Sequence, residues 1–455
     1  MSVATADPET TRSSTQEQRS VSGQFADFIC GVSFDTLAST VVESAKLRVL
    51  DCLATALASD GLEVPAVVRR FIRGSSGLAT VFGSVERVAP VDAAFVNATL
   101  VNARSQDDFL LKSHPGALTL PAALAVAEMQ DSSGAELLAA LVVGYEMVGR
   151  VYLGGPTMLP RFRASGVVGT VAAAASAAKL LKLDNPRVMH ALGLAACFSH
   201  GFGQGFMSGT SEVKINVGMA SRSGVTAALL ASHGGTASAL EFEGDSGLYQ
   251  AVSNTVDDVA QATQGLGTRY LIEDTLYKEC PVCMLNQTPI ALARELGRQV
   301  NLPEIAKVVV QAPELTYTNP GFTIVAPYTS HLQAVVSARF CVAAALLGRP
   351  MESYAAYDGL DDPAVLEMAE KIELVMRPED SENVEVEIVL ASGASLRLKG
   401  VELETMQPTQ VKILSKFRRL TAGQPGVDAE RVIERVMRLD RLAHVCELTS
   451  LLRGA

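Results

Sequence analysis

Tryptophan is absent from the 455 residues, and aromatic side chains make up only 5% of them. Alanine and glycine are abundant instead, and such small side chains let helices approach closely, which predicts a compact helical body. Positive charge is also short: 38 Lys and Arg against 49 Asp and Glu leave a net charge of −11. That excludes nucleic acid and anionic membrane as expected partners, because neither is drawn to such a surface. No apolar run is long enough to cross a bilayer; the greasiest, Gly166 to Leu181, is flanked by Arg163 and Lys182 and reads as a buried helix. Residues 1–24 are rich in Ser, Thr, Gln and charge and lack the apolar core of a signal peptide, so an unstructured start and a cytoplasmic protein are expected. The seven scattered cysteines fit a reducing compartment. Cys280 and Cys283 form a CxxC, but no second pair of ligands follows for zinc and no βαβ pattern precedes it for redox chemistry. Metal-ligand spacing is missing elsewhere, and Gly201 to Gly205 lacks the strand and spacing of a nucleotide loop. Any chemistry is therefore expected to be proton transfer with no metal and no cofactor.

What is present is 48% hydrophobic sequence, enough for a large core and more than one domain. From Phe25 to about Tyr270 apolar residues recur at spacings of three and four, predicting helices over Thr36–Ser59, Val91–Val101, Pro121–Gln130, Gly134–Leu153, Val167–Leu181 and Lys214–His233. Asn185, followed by Pro186, is placed to cap another. Beyond Tyr270, Ala306–Gln311 and Val384–Leu390 read as strands, with a turn at Ser392–Gly393 into Ser395–Lys399. Helices are expected at Pro289–Val300, His331–Leu347 and Pro363–Lys371, and again over Asp428–Leu452. The expected architecture is mainly α: a helical domain from residues 25–270 and 403–455, with residues 271–402 inserted as a smaller α+β lid and a ligand cleft between them.

Chemistry-bearing residues cluster at the edges of the apolar helices. Asp107, Asp108, Lys112 and His114 fall in one ten-residue loop that runs into a greasy helix, the usual way a scaffold presents acid and base groups. Tyr145 precedes Glu146 and Arg150, an i,i+4 pair read as structural, and lies one position off their face. Arg163 either caps a carbonyl elsewhere in the chain or offers a planar fork to a substrate carboxylate. Lys214 stands at a helix start, where the dipole favours anions, and Lys278 stands where the second region begins. Converging with Arg163 and His114, these lysines would form a positive pocket in an acidic protein. Such a pocket binds a polycarboxylate, and burial with like-charge repulsion lowers a lysine toward roughly 7–8, where it serves as a general base.

These landmarks resemble the MmgE/PrpD family over nearly the whole chain: Asp107-Asp108 with His114-Pro115, Gly144-Tyr145-Glu146 with Arg150, Gly166 to Thr170, Gly209 to Lys214, and Tyr277 to Pro281. The resemblance implies a homodimer of helical domains with α+β lids and an interdomain active site. It also implies cofactor-free action on a small carboxylate-rich molecule, by 2-methylcitrate dehydration, cis-aconitate decarboxylation or iminodisuccinate epimerisation. Members with the first two activities carry an aspartate where this chain has Ser105, histidines where it has Arg163 and near Cys283, and a tyrosine near Phe340. Those departures favour the epimerising branch, an isomerase that moves the α-proton of iminodisuccinate, over a hydro-lyase or decarboxylase acting on a tricarboxylate. In that expectation Lys278 and Tyr145 are the two bases, His114 stands in reserve, Asp107 orients one of them, and Arg163, Lys214 and Asp108 bind substrate.

Overall fold

The computed structural model describes residues 20–377, 383–401 and 406–454. The molecule is mainly helical, with 57% helix and 9% strand. Two hydrophobic cores organise it. The larger gathers side chains from Val21 to Tyr277 and again from Ile413 to Leu452; the smaller runs from Leu276 to Met406 and takes in Phe109.

Three helices form the centre of the larger core: Pro115–Met129, Ala164–Leu180 and Glu212–Ser232. The first two are apolar nearly all round, as a helix wrapped by other helices must be. Small residues set their spacing. A Cβ on Gly224 would stand 2.5 Å from the Thr170 carbonyl oxygen and from the Ala173 Cβ, so only glycine permits that crossing. Several boundaries differ from expectation. The helix predicted from Pro121 begins at Pro115, placing Pro121 inside it and His114 at its cap. Asp184, not Asn185, caps the Asn185–Cys197 helix by accepting from the Arg187 N–H. The unstructured start expected over residues 1–24 gives way at Ser20, which caps a helix over Val21–Gly31; residues 1–19 lie outside the described residues.

The smaller core is built on a four-stranded sheet. Strands β1 (Ala79–Thr80) and β2 (Arg87–Val88) pair elsewhere, against the larger core. Strands β3 (Ile305–Pro313), β4 (Ile372–Arg377), β5 (Asn383–Leu390) and β6 (Ser395–Val401) lie in the order β4-β3-β5-β6. The hairpin β5–β6 and the pair β3–β5 are antiparallel, while β4, which sequence periodicity missed, joins β3 in parallel. The acidic positions that alternate along β5 are not all solvated: Glu385 is buried, with Arg377, Arg397 and Lys399 ranged around it. The helix expected over His331–Leu347 breaks at Ser337, whose hydroxyl caps a second helix by accepting from the Phe340 N–H. The single terminal helix expected over Asp428–Leu452 is a helix over Ala429–Met437 followed by short turns. The expected return boundary at 402/403 falls partly in residues 402–405, outside the described residues. Where the cores meet, Phe109 and Leu276 exchange backbone hydrogen bonds of 3.1 and 2.7 Å, fixing the loop after Ala103 against the segment that opens the second region. Among the described residues no helix is long and apolar enough to cross a membrane.

Candidate active site

A cavity of about 100 Å³ opens at this seam. The larger core contributes Ser105, Lys112, His114, Arg163 and Lys214 to its wall, and the smaller contributes Lys278, Cys283 and Asn319. Apart from Ser165 the rest is apolar, with Phe109, Phe162, Phe206, Leu285, Leu332 and Val336 among its lining.

Local structure explains how each polar group arrives. The helix Pro90–Ala103 ends just before Ser105, which sits at φ 55°, a left-handed conformation uncommon for serine. That turn aims its two oxygens at two different lysines: the hydroxyl accepts from Lys214 Nζ at 2.5 Å and the carbonyl from Lys278 Nζ at 2.7 Å. Lys214 also donates to the Asn102 carbonyl at 2.8 Å. A helix N-terminus repels a cation, so these acceptors are what hold Lys214 there. The Arg163 guanidinium donates to the Val213 carbonyl and lies 5.4 Å from the centre of the Phe206 ring.

Asp107 stands behind the wall, not on it. It is fully buried, with Oδ2 3.2 Å from His114 Nδ1 and Oδ1 3.7 Å from Lys278 Nζ, and it accepts from Asn102 Nδ2 at 2.9 Å. Burial alone would raise its pKa, but the positive groups around it outweigh burial and hold it well below the usual carboxylate range. Burial works the other way on the cations. It lowers Lys214 to about 7, with repulsion from Arg163 and Lys278 adding to it against the pull of Asp107. It lowers Lys278 as well, and brings Arg163 to about 10. Burial, opposed by Asp107 and helped by Lys278 and Arg163, takes His114 to about 4, so its imidazole is neutral near pH 7. Both acceptors beside its Nδ1, Asp107 Oδ2 and the Asp108 carbonyl, require that nitrogen to carry the hydrogen, which leaves Nε2 as the nitrogen that titrates.

Two expected site residues are elsewhere. Tyr145, expected as a reacting base, and Asp108, expected to bind substrate, face the helical interior and not the cavity. The Tyr145 hydroxyl donates to Asp108 Oδ2 at 2.5 Å, and Asp108 Oδ1 accepts from the Gly116 N–H at 3.0 Å. Burial pushes the Tyr145 phenol well above its ordinary value and raises the Asp108 carboxyl to about 7. Gly116 is required beneath them, because a Cβ there would stand 2.1 Å from Cys52 Sγ and 2.8 Å from both the Tyr145 hydroxyl and Asp108 Oδ1. Sequence reasoning also passed over Cys283, Asn319 and Phe206 as lining residues. For Cys283 the available signal was its place five residues after Lys278; for the other two there was none. Glu146 and Arg150 make the expected structural pair at 2.7 Å, Glu146 accepting in addition from the Leu271 N–H.

Comparison with known proteins gives two family matches: the MmgE/PrpD N-terminal domain over residues 23–260 and the MmgE/PrpD C-terminal domain over residues 280–441. Among curated relatives, cis-aconitate decarboxylase of Homo sapiens is 27% identical, covering 96% of this chain and 95% of its own. The Mus musculus protein of that name is 26% identical over 96% and 94%, and one from Aspergillus terreus is 24% identical over 95% and 96%. These matches overturn the expected isomerase: the relatives carry a decarboxylase name over their full length, and none of the three names concerns iminodisuccinate. One of the four departures lies away from the site. Phe340 does not line the cavity at all; it is buried in the smaller core against Tyr328. Ser105 and Arg163 do line it, and both are engaged with the polar groups that remain.

Proposed function

Since the chain belongs to the MmgE/PrpD family, we propose that it is a lyase that removes carbon dioxide from an unsaturated polycarboxylate of the cis-aconitate kind. The observation that carries this reading is the convergence of Arg163, Lys214, Lys278 and His114 on one largely apolar cavity, backed by a single ionised carboxylate, Asp107. Arg163 and Lys214 hold two carboxylates of the substrate. The third lies against the apolar wall, where a charged group turning into neutral carbon dioxide is favoured over one that stays charged. The carbon–carbon bond to that carboxylate breaks, and its electron pair shifts through the adjacent double bond toward a carboxylate held by a cation. Lys278 then delivers a proton to the carbon at the far end, so one proton is consumed for each carbon dioxide released.

The bound trianion readies this donor. Negative charge beside Lys278 and His114 counters the burial that lowers their pKa values, so both hold protons more firmly once substrate is in place. Asp107 fixes the ammonium of Lys278 and the ring of His114 from behind. The test is incubation with cis-aconitate in heavy water. Carbon dioxide should appear with a product carrying one new deuterium by proton NMR, and Lys278→Ala should lower the rate by about 10²-fold or more. A product that keeps every carbon and gains water, or no product, overturns the reading.

A further inference from the structure

Lys416 lies far from the cavity wall in sequence, on the helix Gln410–Thr421, and its side chain is completely buried. An ammonium has three hydrogens to donate, and here all three have acceptors. They are Asp51 Oδ1 at 2.7 Å, the Gln106 carbonyl at 2.6 Å and the Lys278 carbonyl at 3.0 Å. The face of the Tyr277 ring lies 4.9 Å away on the same side. A buried ammonium needs acceptors for all three of its hydrogens, and what matters here is where the other two are found. The other two bonds go to the backbone of the two segments that carry the site: Gln106 precedes Asp107, and Lys278 is the expected donor itself.

From this we infer that Lys416 is the positioning residue of the site, clamping the Asp107 loop and the Lys278 segment to the Ser39–Leu57 helix so that carboxylate and ammonium face one another. The inference rests on the role given to Lys278 above. The clamp acts through distance and through charge. Two carbonyls brought together by one ammonium hold segments that belong to different cores. The buried charge also repels the ammonium of Lys278 across the peptide whose oxygen it binds, which helps to keep that lysine's pKa low. The other charged or titratable groups around Lys278 are Asp107, Asp108, Cys283, His114 and Lys214. Those beside Lys416 are Asp51 and Tyr277.

The test uses the full chain and reads Lys278 without substrate, through the pH dependence of its carbamylation by cyanate, followed by peptide mass spectrometry. Lys416→Met alone would strand Asp51, so the paired variant Lys416→Met/Asp51→Asn is compared with the wild type. Its carbamylation midpoint should rise by about half a pH unit, because Lys416, and not the Asp51 carboxylate removed with it, is among the charges that act most strongly on Lys278. On cis-aconitate its kcat should fall about tenfold while KM stays within about threefold, as for a group that aligns the reacting atoms. Lys416→Arg keeps the charge but not the three-point fit. Its midpoint should stay at the wild-type value while its limiting carbamylation rate changes by about fivefold, since Lys278 is displaced. A folded paired variant with the wild-type midpoint overturns the inference; if that variant does not fold, wild-type carbamylation in Lys416→Arg overturns it. If the wild type releases no carbon dioxide, the proposed reaction fails, but the cyanate result still decides the role of Lys416.

Discussion

Asp107 and Asp108 are joined by one peptide bond and are equally buried, yet they lie in two opposite electrostatic regions. Asp107 looks toward the seam, where His114, Lys278 and Lys214 keep it ionised. Asp108 looks into the helical interior, where burial and the nearby Asp51 and Asp107 oppose its charge despite Arg48 and the Tyr145 hydroxyl, leaving it at about 7. The two side chains leave the loop toward opposite sides, one to His114 and Lys278 and the other to Tyr145. The loop thus inserts one carboxylate into the working layer and one into the supporting layer. The residue type carries no role of its own here, because the surroundings decide which carboxylate is a full anion and which is only about half ionised near pH 7.

Replacing each with asparagine breaks this comparison most directly. Asp107→Asn removes the counter-charge shared by Lys278, Lys214 and His114 while keeping the shape. Carbon dioxide release from cis-aconitate should fall by about 10³-fold, and stability should drop by about 3 kcal/mol, read from the urea midpoint. Asp108→Asn should leave kcat/KM within about fivefold, because the carboxyl does not touch the cavity and is only about half ionised near pH 7. Equal losses in the two variants would mean that the two sides of the loop do not differ as described.

Asp108 also carries a pH signature of its own. Its pKa is raised on folding from 3.8 to about 7, so between those values the folded protein holds a proton that the unfolded chain has released. Its contribution to stability therefore falls as pH rises from about 4 to about 7 and is constant outside that window. Asp108→Asn lacks this dependence. Its stability relative to wild type should improve across that window by up to about 4 kcal/mol, measured by chemical denaturation at stepped pH. His114 works in the opposite sense, since its lowered pKa makes stability rise between about 4 and 6.5, but it is present in both proteins and cancels in the difference. A flat difference curve would place Asp108 among ordinary ionised carboxylates.

The sequence made the helical body, the β5–β6 hairpin and the polar clusters readable, because apolar periodicity and concentrated charge are local properties. Orientation was harder to read. The loop gives no period from which to tell which of Asp107 and Asp108 turns inward, and a single residue reverses the answer. Tyr145 was assigned to a cavity because it sits off the Glu146–Arg150 face, but a helix buried on all sides has no solvent face to choose, and the neighbouring helix Pro115–Met129 claims that side. The strand β4 escaped notice because it follows directly on a helix. Lys416 did leave a trace. It falls between the buried Ile413 and Phe417 on the apolar stripe of an otherwise charged helix, where a lysine has to find buried partners.

The smallest expected effect is the one that best separates the two layers. Tyr145→Phe removes only the hydroxyl that donates to Asp108 Oδ2. A buried hydrogen bond is lost and an acceptor is left without its donor, so stability should fall by about 1–2 kcal/mol. Losing a donor to the carboxylate also removes one of the forces that lower the Asp108 pKa, so the pH window described above should move upward. Turnover should change by no more than about twofold, since the phenol lies outside the cavity and nothing in the proposed proton path passes through it. A reacting acid or base removed from that position would instead cost about 10²-fold or more in kcat. The size of this one rate change therefore decides whether Tyr145 supports the site from behind or acts in it.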